Sequence, residues 1–157
     1  MTETTKTAPL VIERIVELSV PRERVWRAIT EPEELARWSP QKAEWEPEPG
    51  REGVFTWDGY GGYAVRVEAA EAPSYLAWRW ANQADTPLDR ATEVTLVEWW
   101  LEERADGGTT LRMQESGFIT REHRDGNARG WEEELGELRA RVERGATAVP
   151  AVKASRA

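Results

Sequence analysis

Residues 115–142, ESGFITREHRDGNARGWEEELGELRARV, decide the fold because they predict the end of a strand followed by an amphipathic helix. Within this stretch Trp131, Leu135, Leu138 and Val142 recur at helical spacing and form one apolar stripe. We expect the helix to open at the Gly-Trp pair that contains Trp131. A stripe of this length must be buried, so the rest of the chain is expected to supply a wide apolar surface beneath it.

Composition excludes several classes of site. The chain of 157 residues carries a formal charge of −8, no cysteine and one histidine. The absence of cysteine excludes disulfides, iron–sulfur clusters and thiolate zinc sites, and a single histidine argues against most other metal sites. Because Lys and Arg are scattered among acids, neither nucleic acid nor an anionic membrane surface is expected as a partner.

The length of the chain predicts a single domain. We expect this domain at residues 10–144, between a disordered lead at 1–9 and a disordered tail at 145–157. The sequence contains no secretory signal pattern and no apolar run of about 20 residues, the length that a membrane span needs. A cytoplasmic location is therefore expected.

Short elements precede the final helix. Residues 11–20 mix β-branched and charged residues in rough alternation, which predicts a strand, and Pro21 then opens a helix over residues 22–29. Thr30 and Glu33 match a capping box, which predicts a second, short helix. Further strands, separated by turns rich in Pro, Gly and Asp, are expected at residues 43–47, 52–57, 62–70, 74–81, 93–103 and 109–117.

The phase of the strand at residues 93–103 stays open. Val94 and Leu96 favour one inward face, whereas Val97 and Trp99 favour the other, and a bulge would reconcile the two sets. The choice decides which rings of this strand reach the interior.

The order of these elements and several motifs carry a resemblance to a known family. The motifs are VPRERVWRAITEPEELARW at residues 20–38, GVF at 53–55, GGTTLRMQESGF at 107–118 and the later pair Gly130-Trp131. The chain resembles the START-like (SRPBCC) superfamily and, within it, the bacterial single-domain group named after the Hsp90 ATPase activator. This resemblance implies an α+β helix-grip fold, in which a curved antiparallel sheet of about seven strands wraps around a long C-terminal helix. Two short helices follow the first strand.

Nine tryptophans are more than a domain of this size easily buries. The resemblance implies a cavity between sheet and helix that receives hydrophobic molecules, although the rings can equally fill that space as core. Strand alternation, the helical stripe and the resemblance together predict the following ligand-binding residues: Trp38, Phe55, Trp57, Tyr63, Trp78, Trp80, Trp99, Met113, Glu115, Phe118, Trp131 and Leu135.

Glu115 is the most informative polar candidate because it continues the inward phase of Leu111 and Met113. A carboxyl buried there can act as an acid, a base or a ligand anchor. Alternatively it reaches solvent at the strand end or pairs with an arginine of the next segment, namely Arg121, Arg124 or Arg129.

Other polar motifs predict little chemistry. His123 and Asp125 lie in a polar segment that we expect to be an exposed loop, and no Ser or Cys nucleophile stands at a matched spacing. The glycines of DGYGGY, residues 58–63, lack the spacing of a phosphate loop and predict a hairpin turn. The acidic pairs lack the spacing of a metal loop, so neither a metal nor a cofactor is expected.

Three hypotheses of function follow. The first is the binding of a small apolar or aromatic molecule. The second is an enzyme of the polyketide cyclase or aromatase kind, in which Glu115 or Tyr63 moves protons. The third is a protein-interaction module that stimulates a chaperone ATPase through Trp99 and Trp100 on an outward face, and a protein partner or homodimer belongs with it.

Overall fold

The computed structural model describes residues 10–148, with side chains as far as residue 144. The predicted lead at 1–9 and most of the predicted tail, 149–157, lie outside the described residues. The elements in chain order are β1 (Ile12–Leu18), α1 (Arg22–Thr30), α2 (Pro32–Leu35), β2 (Lys42–Glu44), β3 (Glu52–Trp57), β4 (Gly61–Glu71), β5 (Tyr75–Ala81), a 3₁₀ turn (Leu88–Arg90), β6 (Val94–Glu103), β7 (Thr109–Ser116) and α3 (Arg121–Ala148).

The seven strands form one antiparallel sheet in the order β1-β7-β6-β5-β4-β3-β2. Strands β2 to β7 are consecutive neighbours, and β1 pairs with β7 at the opposite edge from β2. The β6–β7 hairpin turns at Gly107, whose φ of 91° is a conformation that glycine adopts without strain. The helix-grip architecture, with short helices after β1 and a long helix at the end, is confirmed.

Helix α3 packs its apolar stripe into the core. Trp131, Leu135, Leu138 and Val142 are all buried and belong to one cluster with the inward residues of the sheet. The predicted stripe is therefore confirmed. No helix among residues 10–148 is long and apolar enough to cross a membrane.

The start of α3 differs from the prediction. The helix begins at Arg121, so the polar segment before Trp131 is helical instead of an exposed loop. The hydroxyl of Thr120 accepts a 3.1 Å hydrogen bond from the backbone N–H of His123, which is the geometry of an N-cap. The helix also continues to Ala148, beyond the predicted domain boundary at residue 144.

The predicted capping box is wrong. Thr30 is the last residue of α1, and its hydroxyl donates to the carbonyl of Trp26 over 2.7 Å. Helix α2 instead starts at Pro32, where proline tolerates the first helical position.

The inward phase of β6 is resolved by burial. Thr95, Val97, Trp99 and Leu101 are buried, and the pairing of β6 with both neighbours is continuous, so no bulge interrupts it. An outward patch containing Trp99 is therefore wrong, because its ring is 0% exposed.

Candidate ligand cavity

A cavity of about 230 Å³ lies between the β3–β4 hairpin, β5 and the first turns of α3. The exposed side chains of Tyr60 and His123 place its mouth between the hairpin turn and the start of α3. The lining residues are Trp57, Tyr60, Tyr63, Trp80, Ala81, Asn82, His123, Gly126, Asn127, Gly130, Trp131 and Glu134.

Aromatic rings build the walls of the cavity and hold each other in place. The ring centroids of Trp57 lie 5.5 Å from Tyr63 and 5.9 Å from Trp80, both in edge-to-face arrangements. Trp80 and Trp131 face each other across the sheet–helix boundary, with centroids 6.0 Å apart and planes inclined by 29°. Aromatic pairs at such distances are mutually attractive, so the wall is fixed by packing.

Two glycines of α3 leave space in the cavity. Gly126 and Gly130 lie one helical turn apart on the cavity side, and a Cβ added to either would meet no atom within 4 Å. At Gly130 the helix faces open space and does not approach the sheet closely. The missing side chains thus contribute volume to the cavity.

Glu115 lies behind the aromatic wall and accepts hydrogen bonds on both carboxylate oxygens. Trp131 Nε1 donates to Oε1 over 2.8 Å. Trp80 Nε1 and Thr95 Oγ1 donate to Oε2 over 2.9 and 2.6 Å, and Asn127 Nδ2 approaches both oxygens at 3.3 Å. One carboxylate therefore ties β5, β6 and β7 to α3.

The alternative fates of Glu115 are resolved by this network. Its side chain is 0% exposed, so it does not reach solvent, and its four partners are neutral donors instead of an arginine. Arg124 makes other contacts, with Asp125 and with the carbonyl of Val11. Since its oxygens are already occupied, Glu115 orients the two indole rings.

Glu134 is the carboxyl group that lines the cavity itself. Burial raises the pKa of Glu134 to about 7, although hydrogen bonds from Ser39 and Trp57 act in the opposite direction. The negative charges of Glu115 and Glu133 raise this pKa further. The cavity therefore contains a carboxyl that changes charge near neutral pH.

His123 reaches the mouth of the cavity from the first turn of α3. Its Nδ1 contacts the carboxylate of Glu93, a buried side chain that also accepts the backbone N–H of Ile119. This contact fixes the orientation of the imidazole. No cluster of metal-binding side chains occurs within residues 10–148.

The predicted site residues divide into two groups. Trp57, Tyr63, Trp80 and Trp131 line the cavity. The others lie behind this wall in the core, where the structure buries Trp38, Phe55, Trp78, Trp99, Met113, Glu115, Phe118 and Leu135.

Sequence reasoning missed the polar lining of the cavity. Gly126, Gly130 and Glu134 recur every four residues, and Asn127 stands one turn before Trp131. That spacing is a helical signal, but it is visible only if the helix is taken to begin at Arg121. Tyr60 and Asn82 line the cavity because of the course of the loops that contain them. The sequence contains no pattern that predicts the course of these loops.

Comparison with known proteins places this architecture in a family. Over residues 19–143 the sequence matches the family described as activator of Hsp90 ATPase homolog 1-like protein. No curated protein sequence matches the chain.

Solved structures share the fold. Protein MLL2253 from Mesorhizobium loti is 26% identical with a TM-score of 0.75, and the match covers 85% of this chain and 97% of that one. DynU16, a protein in the dynemicin biosynthetic locus, is 21% identical with a TM-score of 0.74, over 86% of this chain and 48% of that one. The Aha1 dimer from Colwellia psychrerythraea is 19% identical with a TM-score of 0.72, over 85% of this chain and 96% of that one. From its sequence match and its helix-grip architecture, the chain belongs to the activator of Hsp90 ATPase homolog 1-like family.

Proposed function

We propose that the protein binds a small, largely apolar aromatic molecule in the cavity between the sheet and α3. The observation that supports this function most is a cavity of about 230 Å³ with an ordered aromatic wall. Two rings of this wall, Trp80 and Trp131, are both held by hydrogen bonds to Glu115. Binding sites for small molecules are concave and apolar, with a few placed polar groups.

The volume limits the size of the ligand. A cavity of about 150 Å³ accepts benzene, whereas sites for drug-sized molecules usually measure about 300 to 1,000 Å³. The cavity here lies between these values at about 230 Å³. A molecule of one or two rings fits it better than a sterol or an extended polyketide.

The fixed wall also favours binding over collapse. Empty apolar space costs packing energy, but the rings that could close it are held by hydrogen bonds on buried indoles and by edge contacts. A ligand therefore meets a surface that is already ordered, which lowers the entropy cost of association.

Native mass spectrometry of the freshly purified protein tests this proposal. We expect an extra mass of a few hundred daltons or less that is lost on denaturation, or, for an empty protein, 1:1 adducts with added naphthalene or indole. A chain that carries no extra mass and forms no saturable adduct with either probe would refute the proposal.

A second candidate function is proton transfer to or from the bound molecule. It is supported by Glu134, which lines the cavity and has a pKa raised to about 7, so that it can give and accept a proton at neutral pH. Glu115 has no free oxygen for this role, whereas Tyr63 remains at the wall.

Exchange of ligand protons tests the enzyme candidate. The molecule recovered from the protein is incubated with it in D₂O, and incorporation of deuterium at carbon is followed by NMR. Catalysis by Glu134 predicts fast exchange with the natural protein and little with Glu134→Gln. Equal exchange with both would exclude Glu134 as the acid–base group.

The protein-interaction alternative has less support from the surface. Trp99 is 0% exposed, and the ring of Trp100 is covered by the guanidinium of Arg112 at 4.2 Å and packs beside Tyr75. A homodimer is a separate proposal, supported by the fold shared with the Aha1 dimer of Colwellia psychrerythraea. Light scattering after gel filtration would distinguish a monomer from a dimer.

A further inference from the structure

We propose that the cavity selects an aromatic molecule that carries a cationic nitrogen, such as an aryl-alkyl ammonium ion. The inference rests on the proposed binding function and adds the charge of the ligand to it.

Among the described residues, the cavity lining contains a carboxyl group and neither lysine nor arginine. The carboxyl group is that of Glu134. His123, at the mouth, is held by the carboxylate of Glu93. A cation that enters therefore meets no lysine or arginine in the lining, and a charge on His123 is balanced by Glu93.

A second carboxylate, Glu115, increases the preference for a cation. Its four hydrogen-bond donors belong to two tryptophans, a threonine and an asparagine, all neutral, so they solvate its charge without cancelling it. Trp80 and Trp131 donate to this carboxylate and also line the cavity, so the carboxylate lies directly behind the cavity wall. Since screening by water is weak in a buried site, its field extends into the cavity.

The aromatic rings around the cavity supply further attraction where a cation meets their faces. Aromatic faces carry negative quadrupole charge, and a cation within about 6 Å of such a face is stabilised. The rings at the cavity are those of Trp57, Tyr60, Tyr63, Trp80 and Trp131. A ligand with both a ring and an ammonium group can stack on one indole and present its charge to the others.

An anionic ligand would meet the opposite situation. A carboxylate or phosphate placed beside Glu134 would be repelled both by this group and by Glu115 behind the wall. The structure therefore favours a cation over an anion of the same shape.

The charged state of Glu134 makes the selection depend on pH. Ser39 from the segment after α2 and Trp57 from β3 hydrogen-bond to Glu134, Glu115 from β7 and Glu133 from α3 act on it through charge, and His123 shares the cavity. Raising the pH from 6 to 8 ionises Glu134, so affinity for a cation should rise over this range.

A matched pair of probes tests the inference. Benzyltrimethylammonium and neopentylbenzene have nearly the same shape, and they differ by the positive charge on one atom. Binding of each is measured by quenching of tryptophan fluorescence at pH 6 and pH 8. For the natural protein at pH 8 we expect the cation to bind about tenfold more tightly than its neutral isostere.

Two variants assign the preference to the cavity. Glu134→Gln should reduce the preference at pH 8 and remove its dependence on pH. Glu137→Gln removes the same charge from an exposed side chain of α3 that is not among the groups acting on Glu134, and it should retain both properties. Equal loss in the two variants would contradict the assignment to Glu134.

The outcomes separate this inference from the function on which it rests. Tighter or equal binding of neopentylbenzene would overturn the cation preference and leave the apolar binding site intact. Failure of both probes to bind at either pH would overturn the inference and count against the proposed function as well.

Discussion

Trp131 on α3 donates its indole N–H to the carboxylate of Glu115 on β7 over 2.8 Å, and neither residue is more than 4% exposed. The bond joins the helix to the sheet at the place where the cavity begins. The same carboxylate also accepts a hydrogen bond from the indole N–H of Trp80. Removal of the Glu115 carboxylate should therefore loosen two walls of the cavity together.

The first prediction concerns the stability that this carboxylate provides. In Glu115→Gln, the new amide N–H₂ group faces a site where every partner is a donor, so at least one buried donor loses its acceptor. We expect the free energy of unfolding to fall by about 1 to 3 kcal/mol. Urea denaturation measures it, and Glu102→Gln on the exposed end of β6 is the control, with a change below about 0.5 kcal/mol. Equal stability of Glu115→Gln and the natural protein would show that the network contributes nothing.

The second prediction concerns the pH dependence contributed by Glu134. Its pKa rises from 4.5 to about 7 on folding. Glu134 therefore does not lower the free energy of unfolding below pH 4.5. Between pH 4.5 and pH 7 its ionisation lowers this free energy increasingly, and above pH 7 the full destabilisation is present. Glu134→Gln should therefore be more stable than the natural protein by about 1 to 3 kcal/mol at pH 8 and equally stable near pH 4.5.

Urea denaturation between pH 4.5 and pH 8 measures this difference. Glu137→Gln serves as the control because its exposed side chain is not among the groups acting on Glu134 and should give a nearly constant difference over the same range. A difference for Glu134→Gln that also stays constant would contradict the raised pKa.

The third prediction concerns Glu34, whose pH dependence has the opposite sign. Burial alone would raise the pKa of Glu34, but Arg141 on α3 and Arg24 on α1 outweigh burial and hold this pKa below 4.5. The ionised group therefore stabilises the fold above pH 4.5, and this contribution is lost as the pH falls through the lowered pKa.

Glu34→Gln should lower the free energy of unfolding by about 1 kcal/mol at pH 7 and by progressively less below pH 4.5. Thermal or urea denaturation at pH 3 and pH 7 checks this. Glu33→Gln, on the exposed neighbour, should change stability by under about 0.5 kcal/mol at both values. A cost for Glu34→Gln that is undiminished at pH 3 would refute the assignment.

The parts of the fold that were predictable rest on periodicity. The alternation in β3, β5 and β7 and the stripe from Trp131 to Val142 each place apolar groups on one face, and the structure buries those groups. Such patterns are local and strong, so a single sequence is sufficient to detect them.

The features that were predicted wrongly or missed depend on contacts between residues that are distant in the sequence. The first turns of α3 contain Asp125, Gly126 and Asn127, whose composition predicts a loop, yet these residues are helical and Asn127 contacts Glu115. Burial of Glu115 was predictable from phase, but its partners Trp80 and Thr95 come from other strands. Pairing across strands is not encoded in local spacing, so the polar side of the cavity could not be predicted.

Filling the cavity tests the central claim most directly. Gly130 faces open space within the cavity, whereas Gly136 is exposed on the same helix and does not line the cavity. Leucine at either position increases helix propensity, and its Cβ meets no atom within 4 Å. Titration with naphthalene, followed by tryptophan fluorescence, compares the natural protein with Gly130→Leu and Gly136→Leu. We predict saturable binding to the natural protein and Gly136→Leu, and at least about a tenfold loss of affinity in Gly130→Leu, since a side chain then occupies the ligand space. If folded Gly130→Leu binds naphthalene as tightly as the natural protein does, the cavity is not the binding site.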